Sequence, residues 1–240
     1  SLQRYVNDLT VISDDDKTLF LSLVAVLDVA RDPATTAVQV LDAFDSIIEQ
    51  VDERQDSIML AIVLLYYERF LIQNQDVSSL ERLYLRAISS YDAYGDQEGE
   101  RRARIDLIQL YIRLNATDLA QTHIRKVEAQ GDLELHMLCG LYNSLAAKFG
   151  SDGKIADGLA ILKDCLAMPV SASNYQLLAT LTMTTSTIYR QGGQDSLALT
   201  VGRNALSIFE QYEPDFSTLT SVSVLIRVAL MEAEIGNREK

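Results

Sequence analysis

Apolar residues recur along most of this chain at three- and four-residue intervals, the period of a helix with one buried face. Between 98 and 114, Ile105, Ile108 and Ile112 fall on one side, and Arg102, Asp106, Gln109 and Arg113 fall at i, i+4, i+7 and i+11 on the other. The stretch SIMLAIVLLYYERFLI after Asp56 is apolar nearly all round, which predicts a helix over 57–73 covered on several sides. Turn residues punctuate the pattern at Gly95-Asp96, Asn115, Gly131-Asp132, Gly150-Ser151-Asp152-Gly153, Pro169, Gly192-Gly193, Glu213-Pro214 and Gly236-Asn237. Residues 1–12 read as a lead-in. Ser13 and the acids Asp14, Asp15 and Asp16 suit the start of a first helix ending near Ala30. Asp32-Pro33 reads as cap and first position of a second helix, running to about Val51. Nine further helices follow: 57–73, 77–94, 98–114, 117–130, 131–149, a short one ending at Met168, 173–190, 194–212 and 217–235. No run of alternating β-branched residues suggests a strand. The expectation is an all-α chain of about eleven helices, forming one domain over 13–240 with antiparallel neighbours.

Spacing within the pattern repeats. Tyr189 precedes Ala198 by nine residues, Tyr111 precedes Ala120 by nine, Phe149 precedes Gly158 by nine, and Phe70 precedes Ser79 by nine. In each case a large residue closes one helix and a small one sits early in the next. Twelve residues before the small position stand Ser186 and Ala146, and Ala25 and Ala37 form a similar pair near the start. Small residues facing each other near a tight turn let two backbones approach, and an aromatic fills the space beside them.

This pattern resembles the tetratricopeptide repeat over about residues 14–240, in a divergent form with a period near forty. The resemblance implies a right-handed α-solenoid of helix hairpins whose first helices line a concave, partner-binding groove. Carried over position by position, that groove includes Arg102, Asp106, Gln109, Arg113, Asn143, Ser144, Thr184, Thr187 and Arg227. The matching positions 64, 65 and 68 hold Leu64, Leu65 and Glu68, an apolar departure that predicts a filled end. Aligning Gly236-Asn237 with Gly192-Gly193 predicts a turn after Ile235 and a further helix beyond Lys240.

Charge and chemistry narrow the function. A net charge of −13 argues against nucleic acid and against anionic membranes. Residues 1–60 hold twelve acids against four basic residues, whereas residues 100–126 hold six basic residues against three acids. This contrast suggests a mildly basic groove suited to an extended peptide with acidic or C-terminal carboxylate groups, anchored by Arg102 and Arg113. Pairing of those arginines with neighbouring acids is the competing expectation. The two histidines, His123 and His136, lack metal-ligand spacing. Gly150–Lys154 lacks the full phosphate-loop pattern and reads as a turn. Cys139 and Cys165 are expected to be a reduced, buried pair. No catalytic constellation, metal site or cofactor is expected. The chain reads as a cytoplasmic, non-catalytic protein- or peptide-binding scaffold, the regulatory or sensory region of a larger signalling protein. The alternatives are an all-helical receptor or enzyme with a site between helices, or self-association through the apolar helices 57–73 and 217–235.

Overall fold

The computed structural model describes residues 14–30, 32, 34–131 and 133–238. They form eleven helices: α1 (Asp14–Val29), α2 (Ala37–Arg54), α3 (Ser57–Gln73), α4 (Val77–Tyr94), α5 (Gln97–Arg113), α6 (Thr117–Gln130), α7 (Leu135–Ser151), α8 (Ile155–Leu166), α9 (Tyr175–Gln191), α10 (Asp195–Tyr212) and α11 (Leu219–Arg238). Among the described residues there is no strand. The chain divides into two compact units, Ser1–Leu107 and Ile108–Lys240.

Local chemistry accounts for the helix ends. Asp56, Asp76 and Asp96 stand twenty residues apart. Each accepts a hydrogen bond from the backbone N–H three residues on, at 2.9, 3.0 and 2.9 Å, and so caps α3, α4 and α5. The residue before each cap is left-handed: Gln55, Gln75 and Gly95, with Asn115 continuing the interval. Two expected starts are corrected. Ser13 and Pro33 lie outside the described residues. Helix α2 begins at Ala37 because Thr36 and Gln39 form a reciprocal capping box, while Asp32 closes a local turn with Ala34 N at 2.9 Å. Helix α7 begins at Leu135, since Gly131 at φ +74° terminates α6 first. Helix α11 runs on through Gly236 and Asn237 to Arg238 where a turn was expected. Glycine in a helix costs only about 1 kcal/mol and stops it only by leaving helical φ, which Gly236 does not do.

In the first unit, α1 packs on α2, α2 on α3, and α3 on α4. Fully buried Phe44 of α2 lies flat on Tyr67 of α3, with ring centroids 4.5 Å apart and planes 7° from parallel. Behind it, Arg86 of α4 reaches Asp52 at 3.1 Å and Asp45 at 3.6 Å on α2, and Tyr94 donates to Asp52. Burial raises the Asp52 pKa, but the hydrogen bonds from Tyr94, Ser90 and Arg86 outweigh it and hold the carboxyl below its ordinary value.

In the second unit, α9 is the middle layer. Leu178, Leu181 and Ile188 join Cys139, Ala146 and Leu162 of α7 and α8, while Ala179 and Met183 join Phe209, Val224 and Val228 of α10 and α11. Cover on both faces explains why residues 175–189 of this helix carry no charge. The small residues do what their spacing implies. Ala120, Ala198 and Ser186 are buried, as are Gly158 and Gly202. A Cβ on Gly158 would stand 3.0 Å from the Ala146 carbonyl oxygen, and Ser186 donates to the Ala198 carbonyl at 2.6 Å. Ala25 and Ala37 are exposed, unlike the small residues at these crossings.

Cys139 and Cys165 form a disulfide between α7 and α8, buried in the core cluster they share. This corrects the expectation of a reduced pair. Antiparallel packing of α7 and α8 brings the two Cα atoms to 5.7 Å, inside the range a disulfide spans.

Glu213, expected only to break the chain, organises the α10–α11 corner. Its carboxylate accepts from Ser221 Oγ at 2.7 Å, Thr218 N at 2.6 Å and Tyr175 Oη at 3.2 Å. Burial raises its pKa, and these donors overcome that and hold it at about 2. The unfolded-state value is near 4.5, so the stabilisation is complete above pH 4.5 and lost as pH falls toward 2. Glu213→Gln is expected to lower Tm at pH 6 and to flatten the fall of Tm between pH 4.5 and 2. Thermal melts followed by circular dichroism across that range check it. Parallel curves for the two proteins would contradict this role.

Candidate functional site

Helix α3 supplies the floor of an open trough. Its buried face holds Leu60, Val63, Tyr67 and Leu71, at i, i+3, i+7 and i+11. The opposite face is uncovered, correcting the expectation that this helix is enclosed on several sides: Ile58 is 77% exposed and Leu65 64%. Leu64 and Leu65 do not fill that end of the face. The cavity there is about 520 Å³. Its floor is Ile58, Ala61, Ile62, Leu64 and Leu65 of α3, and Tyr84 and Tyr91 of α4 contribute to the back. Gly99 and Ala103 of α5 form the facing side. Gly99 lets α5 lie close against the Tyr91 ring, which a Cβ there would overlap.

Charged groups rim this floor. Glu68, Asp96, Glu98 and Asp106 line it together with a single cation, Arg102. Glu68 accepts from Tyr84 Oη at 2.7 Å, and Asp96 caps α5 through Gly99 N. Both of these donors are neutral groups. Burial and the Asp96 carboxylate push the Tyr91 hydroxyl up to about 12. Arg102 is bound at 2.8 Å by Glu98 one turn earlier, and Glu98 also takes Arg101. Arg104 pairs with Glu100. Three of the six basic residues counted over 100–126, Arg101, Arg102 and Arg104, are therefore paired locally, the first two with Glu98 just outside that window.

Of the expected groove residues, the structure places Arg102 and Asp106 in this trough, with Leu64, Leu65 and Glu68 opposite. Gln109 and Arg113 are exposed farther along α5. In the second unit, Thr187 of α9 and Arg227 of α11 stand together, Arg227 Nη2 being 3.5 Å from Thr187 Oγ1, while Thr187 donates to the Met183 carbonyl. Thr184 is half-buried on α9. On α7, Ser144 is exposed and donates to the Gly140 carbonyl at 3.2 Å, and half-buried Asn143 has a shielded Oδ1 that accepts no hydrogen bond. Ile58, an exposed residue of the trough floor, was missed by sequence reasoning. Its position seven residues before Leu65 is the signal that could have found it.

The histidines are apart in function as in sequence: the His123 ring lies 5.6 Å from the Tyr111 ring, and exposed His136 has Nδ1 3.0 Å from Glu134. Among the described residues, no three His, Cys, Asp or Glu side chains gather as a metal-holding group. Gly150–Lys154 forms the α7–α8 turn, with Gly153 at φ +77° and Lys154 N bonded to the Phe149 carbonyl. Also among the described residues, no helix is long and apolar enough to cross a membrane. No protein-family model matches the chain, and comparison with curated proteins finds no similar one.

Proposed function

We propose that this chain is a non-catalytic scaffold of tetratricopeptide-like hairpins, stacked as an α-solenoid, that binds a segment of another polypeptide. The observation that carries the reading is the trough on α3 and α5. An apolar floor with Ile58 and Leu65 turned to solvent loses water contact favourably when a partner covers it, at roughly 25 cal/mol per Å². The buried small-residue crossings at Gly158 and at Ser186 with Gly202 support the hairpin assignment, as does the contact of α9 with both α7 and α11. A regulatory or sensory role within a larger signalling protein fits such a module.

The buried disulfide supports placing the domain in an oxidising compartment rather than the cytoplasm, since buried structural disulfides persist where thiols are not kept reduced.

Selection from a random peptide display library tests the binding function. Sequences enriched on the wild-type chain should be lost on the variant carrying Ile58→Lys and Leu65→Lys. Both sites are exposed, so the fold should survive. Identical enrichment on the two proteins would remove the trough as the binding surface.

A further inference from the structure

We infer that the occupant of the α3–α5 trough is an amphipathic helix with apolar residues on one face and lysine or arginine beside them. This rests on the binding function proposed above and adds the partner's form and charge.

The form follows from the floor. Ser57 to Glu68 of α3 forms one long side, about 17 Å at 1.5 Å per residue. The floor consists of side chains from helices whose own backbone groups are bonded internally. It offers almost no N–H or C=O groups to a bound strand. An extended peptide laid on Ile58, Ile62 and Leu65 would bury main-chain polar groups without partners, at about 1–3 kcal/mol each. A helix satisfies its own backbone and presents side chains at i, i+3, i+4 and i+7, a row that matches Ile58 and Leu65 seven residues apart on α3.

The charge follows from the rim. Asp96 and Glu98 stand at the start of α5, Asp106 lies farther along it, and Glu68 lies toward the end of α3. Glu98 is matched by Arg101 and Arg102 and Asp106 has interactions of its own, whereas Glu68 and Asp96 accept from neutral donors, Tyr84 Oη and Gly99 N. An acidic segment would bring like charge against Glu68 and Asp96, whereas lysine or arginine beside the apolar row would meet opposite charge at those two carboxylates. The whole chain, at −13, steers a cationic partner in the same direction.

Two synthetic helical peptides, with leucine at i, i+3, i+4 and i+7 and either lysine or glutamate elsewhere, are titrated into the full chain by fluorescence anisotropy. The lysine peptide is expected to bind and the glutamate peptide is not. Ile58→Lys with Leu65→Lys should weaken lysine-peptide binding by at least about tenfold. Glu68→Gln with Asp96→Asn, which keeps acceptors in place, should weaken it by about three- to tenfold, with a reduced dependence on salt. Equal binding of both peptides, lost together in the lysine variant, would overturn the charge assignment and leave the trough as a binding surface. Lysine-peptide binding unchanged in that variant would overturn both the inference and the reading beneath it. Absence of binding by either peptide would overturn the inference alone, with the display selection still deciding the broader reading.

Discussion

Phe44→Ala is expected to destabilise the first unit by about 3–5 kcal/mol, the range for truncating a fully buried phenylalanine. The ring touches α3 in two places, flat on Tyr67 and tilted against Phe70 with centroids 6.1 Å apart. Its removal loses the transfer energy of the ring, leaves a cavity, and takes the stacking partner from Tyr67. The loss is large against a typical total stability of about 5–15 kcal/mol. Phe44→Leu keeps most of the volume and should cost clearly less. Urea denaturation followed by circular dichroism measures both. A loss below about 1 kcal/mol for Phe44→Ala would mean that the site collapses around the gap and that the α2–α3 interface is not held by this ring. The consequence reaches function, since Tyr67 is on the back of the helix whose front is the trough floor. Loosening the α2 contact frees α3 to rotate and turns the row formed by Ile58 and Leu65 away from the other side of the trough.

The second large effect is in the other unit. Removing the Cys139–Cys165 bond, by Cys139→Ala with Cys165→Ala, is expected to cost about 3 kcal/mol, from the entropy an unfolded chain regains when a loop of this size opens. The cysteines are 26 residues apart in sequence and both are buried, so loss of core contacts adds to the loss of the cross-link. Unfolding curves of the oxidised chain, of the chain reduced in denaturant and refolded with reductant, and of the double alanine variant check this. Coincident midpoints for all three would show that the bond adds nothing to stability. The same cysteines report the compartment. Thiols alkylated immediately on cell lysis should be absent until a reductant is added, and two alkylated cysteines would place the chain in a reducing environment.

Much of the helical framework is legible from pattern alone, and particular residues show why. Helices α3, α4 and α6 begin and end where periodicity and turn residues put them, because Asp56, Asp76, Gly95 and Gly131 act within one turn of chain. The nine-residue interval from aromatic to small residue marks real crossings at Gly158 and Ala198 for a similar reason: the residues involved are joined by a single tight turn. The expectations that failed depend on facts outside a local window. Whether α3 is covered on its Ile58 side depends on where α5, about forty residues away, comes to rest beside it. Whether Arg102 is available depends on Glu98, which a charge count started at residue 100 leaves out. The two cysteines could be placed on adjacent antiparallel helices, but their oxidation is not encoded in periodicity. Glu213 gathers donors from Tyr175, Thr218 and Ser221, a convergence visible only after α9, α10 and α11 are assembled.

The twenty-residue metre of left-handed turn positions at Gln55, Gln75, Gly95 and Asn115 gives the first half of the chain a phase. A helix advances by about 100° per residue. One residue inserted inside α4 would therefore swing Leu80, Leu83, Tyr84 and Ala87 out of their buried sector before the next turn could reset the register. The same residue inserted at Gln75 or Gly95 would fall between helices, where a slightly longer connection can absorb it. Tolerance to insertions and deletions in this part of the chain should come in narrow windows, one every twenty residues, with the helices between them closed to any change of length.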